Sequence, residues 1–342
     1  MKIAHIYASN GKCNSGDYML GIGTKWYIKN NIFYNKDIIF KDFDCRDSNL
    51  FNNNNINELN NFDVIVVGGG GLILPDSSPN KNSAWQWNIS TENIKKIIKP
   101  IYVMSIGYNL FYNQDMTMQN RGNNNRNLKI LPIFKESITT LIKCATYFSM
   151  RHQGDINSLL QIIGNEYKDK IKFQQCPSID YVKNVWKPKI NINNRKYIGI
   201  EIKDDREWRR YYKISKNKYY NELLKIIKYL IDIKKDVVYF SHDGSLNFYN
   251  FLKNNKINIP LLNNNSGNEN KILNNYSQIH TLLCSAGHSQ MISYGLGLRT
   301  ISLISHPKLK YFCDDFQLNE YIEINNHIEE NKIFEMLKKY FN

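Results

Sequence analysis

The run from Asp63 to Gly71, which reads Asp-Val-Ile-Val-Val-Gly-Gly-Gly-Gly, constrains the fold of this chain more than any other stretch. Val64 to Val67 are apolar without alternation, which is typical of a strand covered on both faces in a parallel sheet. The four glycines that follow lack a Cβ, and they predict a glycine-rich turn at residues 68–71. Ligands of open α/β sheets bind at the carboxyl ends of the strands. The run therefore predicts either a bare strand-to-helix turn or a ligand-binding edge.

Length and charge limit the classes of partner. The chain has 342 residues and a net charge of +14, and its basic residues are scattered. This length is enough for two domains, each with its own core. No zinc motif or groove-reading motif accompanies the charge, so we predict no nucleic-acid partner. An anionic membrane surface, an anionic phosphorylated donor and a plain compositional bias toward Lys, Asn and Ile stay open as reasons for the charge.

The cysteines and the apolar runs bear on the compartment. Six cysteines lie far apart with no C-x-x-C pair, and no run of 18 apolar residues occurs. Widely spaced cysteines predict reduced, mostly buried thiols. A cytoplasmic protein is expected, and peripheral contact with the inner face of the membrane stays open because lysines are abundant.

Strand and helix patterns alternate along the chain in two series. The first predicted domain spans residues 1–185, a linker lies between Pro177 and Arg195, and the second domain spans residues 195–342. For the last helix, from about residue 329 to 340, packing back on the first domain stays open as an alternative. Two successive βα series predict an α/β protein of GT-B-like architecture, with two Rossmann-like domains whose parallel sheets face a central cleft. The oligomeric state cannot be read from the sequence.

Polar and small residues follow several predicted strands of the first domain. Asn14 to Asp17 form a polar loop in which Asp17 is predicted to cap a helix that starts near Tyr18. Ser105-Ile-Gly107 ends another strand. Arg151 ends a third and is interpreted as either a phosphate or carboxylate ligand or one half of a surface salt bridge. Trp85 and Trp87 are expected in the core, with stacking on a sugar as the alternative.

Two features of the second domain suggest proton and phosphate chemistry. His288 lies between an apolar strand and a predicted helix, where an imidazole can serve as an acid near neutral pH. Lys203, Asp205 and Glu207 alternate after a strand and would point together if the extended form persists, combining a cation with two carboxylates. A structural histidine and a solvated charged loop are the alternatives.

Other chemistries lack their motifs. The glycines at 68–71 are not followed by the third glycine of G-x-G-x-x-G, and no Walker lysine follows them. No H-E-x-x-H spacing occurs, and no metal site is predicted.

The motifs, taken in order, resemble those of the polysaccharide pyruvyl transferase family. N-x-G-D corresponds to residues 14–17, D-x-x-x-x-G-G-G-G-L to 63–72, S-I-G to 105–107 and S-x-R to 149–151. Lys203, Asp205 and Glu207 stand where the family has R-x-D-x-E. Ala286-Gly-His288 stands at its R-L-H position. His306-Pro-Lys308 precedes an acidic and aromatic run, as in the family's closing motif.

The resemblance implies a transferase that moves the enolpyruvyl unit of phosphoenolpyruvate onto two hydroxyls of a sugar in capsule or cell-surface polysaccharide synthesis, giving a cyclic ketal. Phosphoenolpyruvate would be a co-substrate, and no redox cofactor is needed. The acceptor would be a glycan or its lipid- or nucleotide-linked precursor. The implied catalytic residues are His288, Lys203 and Asp17. The implied donor site comprises Lys203, Arg151, Ser285, Gly287, His288 and Lys308. The implied acceptor site comprises Asn14, Gly16, Asp17, Gly69, Gly70, Ser105, Gly107, Asp205 and Glu207.

The chain departs from the family at the donor-binding arginines, which are Lys203 and Ala286 here. Arg and Lys differ where a carboxylate or phosphate is gripped at two points. Arg299 or Lys308 is expected to supply the missing charge. Two alternatives stay open, a GT-B glycosyltransferase that uses a nucleotide sugar and a non-catalytic glycan-binding homologue.

Overall fold

The computed structural model describes residues 1–9, 14–52, 55–74, 80–112, 114, 130–243, 245–325 and 327–339. They group into two compact units. The first contains residues 1–11, 20–110 and 114–177, and the second contains residues 12–19, 111–113 and 178–342. Two short segments from the first half of the chain therefore belong to the second unit. Among the described residues, no helix is long and apolar enough to cross a membrane.

The first unit is built on a six-stranded sheet whose paired strands all run parallel. The spatial order is β2-β1-β3-β4-β5-β6, so the direction of strand addition reverses between β1 and β3. The strands are β1 (Lys2–Tyr7), β2 (Ile39–Asp44), β3 (Val64–Ile73), β4 (Ile101–Tyr108), β5 (Tyr147–Met150) and β6 (Ile171–Phe173). The helices are α1 (Ser15–Tyr27), α2 (Thr91–Lys96), α3 (Ile130–Cys144) and α4 (Gln153–Ile163).

The glycine run does not form the predicted turn, because β3 continues through Gly68 to Gly71 and ends at Ile73. The strand is paired on both sides, with β1 as far as Val67 and with β4 beyond it. A Cβ at Gly68, whose φ is +116°, would collide with the carbonyl oxygen of Met104. The glycines thus let neighbouring strands and helix α1 approach closely, and local sequence does not distinguish this need from that of a turn.

The start of α1 also differs from the prediction. The helix begins at Ser15, and Asp17 lies in its first turn. The side-chain oxygen of Asn14 accepts from the backbone N–H groups of Gly16 and Asp17, at 2.9 and 3.4 Å. Asn14 therefore does the capping assigned to Asp17, since both residue types accept from first-turn amides.

The second unit has a parallel six-stranded sheet in the order β12-β11-β10-β7-β8-β9. Strand addition reverses between β7 and β10, the position at which doubly wound sheets bind ligands. The strands are β7 (Tyr197–Glu201), β8 (Val237–Ser241), β9 (Leu261–Asn263), β10 (Ile279–Cys284), β11 (Arg299–Ile304) and β12 (Tyr321–Glu323). The helices from the unit boundary onward are α5 (Pro177–Tyr181), α6 (Glu207–Arg210), α7 (Lys216–Asp232), α8 (Asn247–Asn254), α9 (Glu269–Ser277), α10 (Gly287–Leu296), α11 (Pro307–Asp315) and α12 (Glu330–Lys338).

The two parallel sheets confirm the predicted α/β class with two Rossmann-like units. The segment predicted as a linker contains α5 and short helical turns over residues 177–194. The asparagine-rich stretch from 263 to 270 contains the end of β9 and the start of α9, where Asn268 caps the helix. The last helix, α12, buries Ile333 and Leu337 in the second unit's own core.

Each unit has its own hydrophobic core. Trp85 and Trp87 are fully buried in the first core and pack edge to face at 6.1 Å, which confirms the core interpretation over sugar stacking. The described cysteines are all free, and Cys144 is the exposed one among them.

Replacing Gly68 with Ala is expected to lower the free energy of unfolding by at least about 2 kcal/mol, because a left-handed φ and a backbone clash coincide. The measurement is denaturant unfolding. Gly267→Ala is the matched control, because that exposed glycine has no atom within 4 Å of an added Cβ. Equal effects of the two substitutions would contradict the packing role of Gly68.

Candidate functional site

The carboxyl ends of three neighbouring strands in the second unit carry all of the predicted donor-site residues except Arg151. Lys203 follows β7, the run Ser285 to His288 follows β10, and Lys308 follows β11. Strands β7 and β10 flank the point where strand addition reverses. The backbone N–H of Lys203 donates to Ser285 Oγ at 2.7 Å, which ties the two strand ends together. The site is thus built at the switch point of a Rossmann-like sheet.

Arg299, one of two residues expected to supply the missing charge, lies elsewhere. It is the first residue of β11 and therefore at the amino edge of the sheet, whereas Lys308 lies beyond the carboxyl end of the same strand. An added Cβ on Gly287 would come within 3.0 Å of Lys308 Cε, so the lysine stem lies against the start of α10. Of the two cations, Lys308 is the one near the predicted donor residues.

Lys203 is surrounded by carboxylates. Its Nζ forms ion pairs with Asp243 and, at 3.9 Å, with Asp205 Oδ1. Burial lowers the pKa of Lys203, and the charges of Asp205, Glu201 and Asp17 act in the opposite direction. An anionic donor would compete with these carboxylates for the ammonium group, so the lysine is held in place before any ligand arrives.

Asp205 is held by arginines. Arg210 donates from Nε and Nη2 to Asp205 Oδ1 at 2.9 and 2.6 Å, and Arg206 Nη2 lies 3.1 Å from Asp205 Oδ2. Burial alone would raise the pKa of Asp205, but Arg210, Lys203 and Arg206 hold it well below its ordinary value. The carboxylate is ionised and paired, and its role as an acceptor ligand stays a prediction.

Glu207 does not point with Lys203 and Asp205, so the expected alternation is wrong. The chain turns at Arg206, whose φ is +53°, and Glu207 then begins α6. Its carboxylate is half exposed and accepts from Lys216 Nζ at 2.5 Å. The extended form does not persist to Glu207, because the left-handed Arg206 reverses the chain direction just before it.

Glu201 is a buried acid that the sequence analysis missed. One of its carboxylate oxygens, Oε2, accepts from the backbone N–H groups of Ser285 and Ala286 at 3.1 and 2.9 Å. Burial raises the pKa of Glu201 to about 7, while Lys203 and these hydrogen bonds act in the opposite direction. Glu201 fixes the segment that leads into His288, because it continues the β7 to β10 pairing beyond the strand ends.

A second imidazole, His242, lies beside His288, with their ring centroids 6.2 Å apart. It follows β8, and its Nδ1 is 3.2 Å from both Ser15 Oγ and Tyr276 Oη. Burial lowers the pKa of His242 to about 3, with smaller contributions from Lys203 and Lys308. His242 is therefore neutral at physiological pH. The sequence feature that could have identified His242 as a site residue is its position directly after a predicted strand.

The predicted N-x-G-D loop meets these two rings. Residues 12–19 belong to the second unit, and an added Cβ at Gly16 would lie 2.7 Å from His288 Cγ and 2.8 Å from His242 Nε2. Only a residue without a side chain fits there. The structure thus brings Asn14, Gly16 and Asp17 to the same part of the molecule as His288.

The remaining predicted residues lie in the first unit. Gly69 and Gly70 are inside β3, where an added Cβ would contact Leu20. Ser105 and Gly107 are in β4, and the guanidinium of Arg151 lies against Gly107. These residues, and the roles assigned to them, stay predictions. Across the described ranges, no group of three or more His, Cys, Asp or Glu side chains could hold a metal ion.

Comparison with known proteins decides the family. A sequence profile described as polysaccharide pyruvyl transferase matches residues 14–307. The chain belongs to the polysaccharide pyruvyl transferase family. This is a transferase family that modifies polysaccharides, and the match spans both units. A comparison with curated protein sequences finds no match.

Solved structures similar to this family member show the fold. MnaA of S. aureus with UDP has 12% identity and a TM-score of 0.53, over 100% of this chain and 88% of that one. The UDP-GlcNAc 2-epimerase of Neisseria meningitidis, bound to UDP-GlcNAc, has 13% identity and a TM-score of 0.51, over 100% and 91%. The UDP-GlcNAc 2-epimerase of Methanocaldococcus jannaschii, in complex with UDP-GlcNAc and UDP, has 13% identity and a TM-score of 0.52. The match covers 100% of this chain and 93% of that one. These likenesses support a GT-B-like architecture and say nothing of the reaction.

The neutral state of His242 predicts a pH dependence of stability. Since its pKa falls from 6.5 to about 3 on folding, its contribution to stability is complete above pH 6.5 and is lost as the pH falls below that value. The effect of Glu201 on stability has the opposite pH dependence. Its pKa rises on folding, so its contribution to stability is lost as the pH rises toward 7. The two effects overlap between about pH 4.5 and 6.5.

Comparing variants with the wild type separates these two effects. Between pH 6.5 and 5, the free energy of unfolding of His242→Gln should fall less steeply than that of the wild type, by up to about 1.4 kcal/mol per pH unit. Chemical denaturation at each pH measures this. His327→Gln, at an exposed histidine, is the control and should keep the wild-type slope. A His242→Gln slope equal to that of the wild type would mean that His242 is charged in the folded protein.

Proposed function

We propose that this protein transfers the pyruvyl group of phosphoenolpyruvate to two hydroxyls of a sugar in a cell-surface glycan or its precursor, forming a cyclic ketal. The observation that supports the proposal is the gathering of His288, Lys203 and Lys308 at the switch point of the second sheet. An imidazole beside two cations is the combination that this donor requires, since it must be protonated at carbon while carrying a phosphate and a carboxylate.

In the proposed reaction His288 gives a proton to the methylene carbon of phosphoenolpyruvate, which becomes the methyl group. The central carbon is then electrophilic, and one sugar hydroxyl adds to it. The second sugar hydroxyl then forms the other carbon–oxygen bond to this central carbon. At the same time the bond between the central carbon and the bridging oxygen of the phosphate breaks, and phosphate leaves. One hydroxyl proton restores His288, and the other leaves with inorganic phosphate. No electrons are gained or lost, so no redox cofactor is required.

The proposed donor contacts come from the second unit. Lys203 and Lys308 would neutralise the phosphate and carboxylate, and the loop of Ser285 to Gly287, which Glu201 holds by its backbone, would place His288. Ala286 cannot supply the charge of the family's arginine, and its N–H is already bonded to Glu201. Lys308, beside Gly287, is the cation that we assign to that role.

A second candidate is a glycosyltransferase that uses a nucleotide sugar. The structural neighbours include proteins bound to UDP and UDP-GlcNAc, on a similar fold. The chemistry of the leaving group separates the candidates, because pyruvyl transfer releases inorganic phosphate and glycosyl transfer releases a nucleoside diphosphate. We place either reaction in the cytoplasm, where free thiols such as the described cysteines persist.

The test incubates the protein with phosphoenolpyruvate or UDP sugars and a panel of sugar acceptors. We expect phosphate release with phosphoenolpyruvate and a ketal methyl signal by NMR. His288→Ala should reduce turnover by at least about 100-fold, the usual loss of a general acid. His327→Ala is the control. Release of UDP would favour the second candidate. Binding of a sugar without any product would favour the glycan-binding alternative. Full activity of the His288→Ala protein would exclude His288 as the acid.

Replacing Lys308 with Met tests the donor contact separately. Loss of one charge-assisted hydrogen bond is worth about 1.5–3 kcal/mol, so kcat/KM for phosphoenolpyruvate should fall about 10- to 150-fold. Lys310→Met, two residues further along α11 and paired with Asp314, is the matched control. Equal effects of both substitutions would mean that Lys308 does not contact the donor.

A further inference from the structure

The carboxyl ends of β4 and β5 in the first unit hold three buried polar side chains with unpaired atoms. Arg151 Nε and Nη2, Ser105 Oγ and Asn109 Oδ1 are enclosed and make no hydrogen bond. The exposed fractions of the three residues are 2%, 0% and 7%. Buried polar atoms are nearly always paired, so three orphans at one edge of a sheet indicate a missing partner.

Arg151 carries the argument, because a buried cation without a partner is costly. In the described part of the chain no carboxylate forms an ion pair with it, including Asp155 on the helix that follows. Arg210, another buried arginine, is by contrast bonded to Asp205 and Ser305. Removing a charge from water is unfavourable unless hydrogen bonds and an opposite charge offset the lost hydration. Folding alone gives no reason for an arginine here.

The surrounding backbone is shaped to hold this side chain. Gly107 leaves room for the guanidinium, since an added Cβ would lie 3.0 Å from Arg151 Cζ. The Arg151 N–H donates to Ile106 O at 3.0 Å, which fixes the end of β5 against β4. Ser105 has a φ of +50°, a strained conformation that is concentrated at functional sites. Its N–H donates to Ser149 Oγ at 2.8 Å, so the strained residue is held in place.

We propose that this edge of the first unit is an oxyanion site in which Arg151 grips a phosphate or carboxylate group, with the Ser105 hydroxyl as a further donor. Arginine matches both groups because its N–H donors form a planar fork. The site lies at the carboxyl edge of a parallel sheet and immediately before helix α4, whose N-terminus favours negative charge. Arg151 is the first-unit member of the donor site that the family resemblance implies, and binding of an anion to it can be tested without the proposed reaction.

The two sources of such a group are a phosphorylated sugar and an acidic sugar, and simple probes distinguish them. Thermal unfolding is measured in inorganic phosphate, in acetate and in chloride at equal ionic strength. All measurements use the Lys308→Met background, which removes a phosphate ligand from the second unit. An anion at 100 times its dissociation constant should raise the melting temperature by several degrees. Protection by phosphate alone assigns a phosphorylated ligand, and protection by acetate alone assigns a carboxylate.

The decisive variant is Arg151→Met. It should abolish the anion-dependent shift, and in chloride it should melt at or above the temperature of its parent, because it removes an uncompensated charge. Arg151→Lys, which keeps the charge and loses the fork, should retain less than half of the shift. Arg46→Met, at an arginine paired with Asp44, is the control and should keep the whole shift.

Two results would overturn the proposal. The first is a shift of the same size in the Arg151→Met protein. The second is the absence of protection by either anion in a background whose Arg151 is intact. A strongly destabilised Arg151→Met protein together with a full shift in Arg151→Lys would also overturn it, because both would assign Arg151 to packing.

Discussion

The pairing of β7 with β10 is the constraint on which the proposed active site depends. These strands are distant in sequence, yet their parallel register places Glu201 opposite Cys284. The Glu201 carboxylate then accepts from the next two backbone N–H groups, and the Lys203 N–H donates to Ser285. Sheet hydrogen bonding thereby continues through side chains past the strand ends. Without this continuation, the segment that leads into α10 and His288 would have no fixed position.

Burial at this edge moves the pKa values of neighbouring groups in different directions. It raises the pKa of the acid Glu201 and lowers those of the bases His242 and Lys203, because it always disfavours the charged form. The pKa of Asp205 is lowered in spite of burial, because the charges of Arg210 and Arg206 lie beside its carboxylate. A neutral imidazole, an acid near pH 7 and paired ions therefore lie within one cluster. Separated pKa values of this kind are what acid and base steps at neutral pH require.

The fold by itself does not select a reaction. The structural neighbours are UDP-sugar enzymes at 12 to 13% identity, and an architecture shared at that distance is compatible with different chemistries. The family assignment rests on the sequence, and the proposed role of each residue rests on its contacts. The first unit illustrates the difference, since the strained Ser105 and the unpaired Arg151 mark an edge that no fold comparison would identify.

The sequence by itself determined the two βα series, the buried central strand and the small or polar residues at strand ends, because local periodicity and missing side chains report burial and backbone freedom directly. It also determined the family, through motifs in a fixed order. Only the tertiary structure decided that the glycine run stays inside β3, that Glu207 turns away to Lys216, and that Lys308 and not Arg299 lies at the carboxyl edge. It alone assigned partners to Glu201, His242 and Asp205. These outcomes depend on which strands pair and which side chains meet across them, and such contacts join residues that are far apart in the chain.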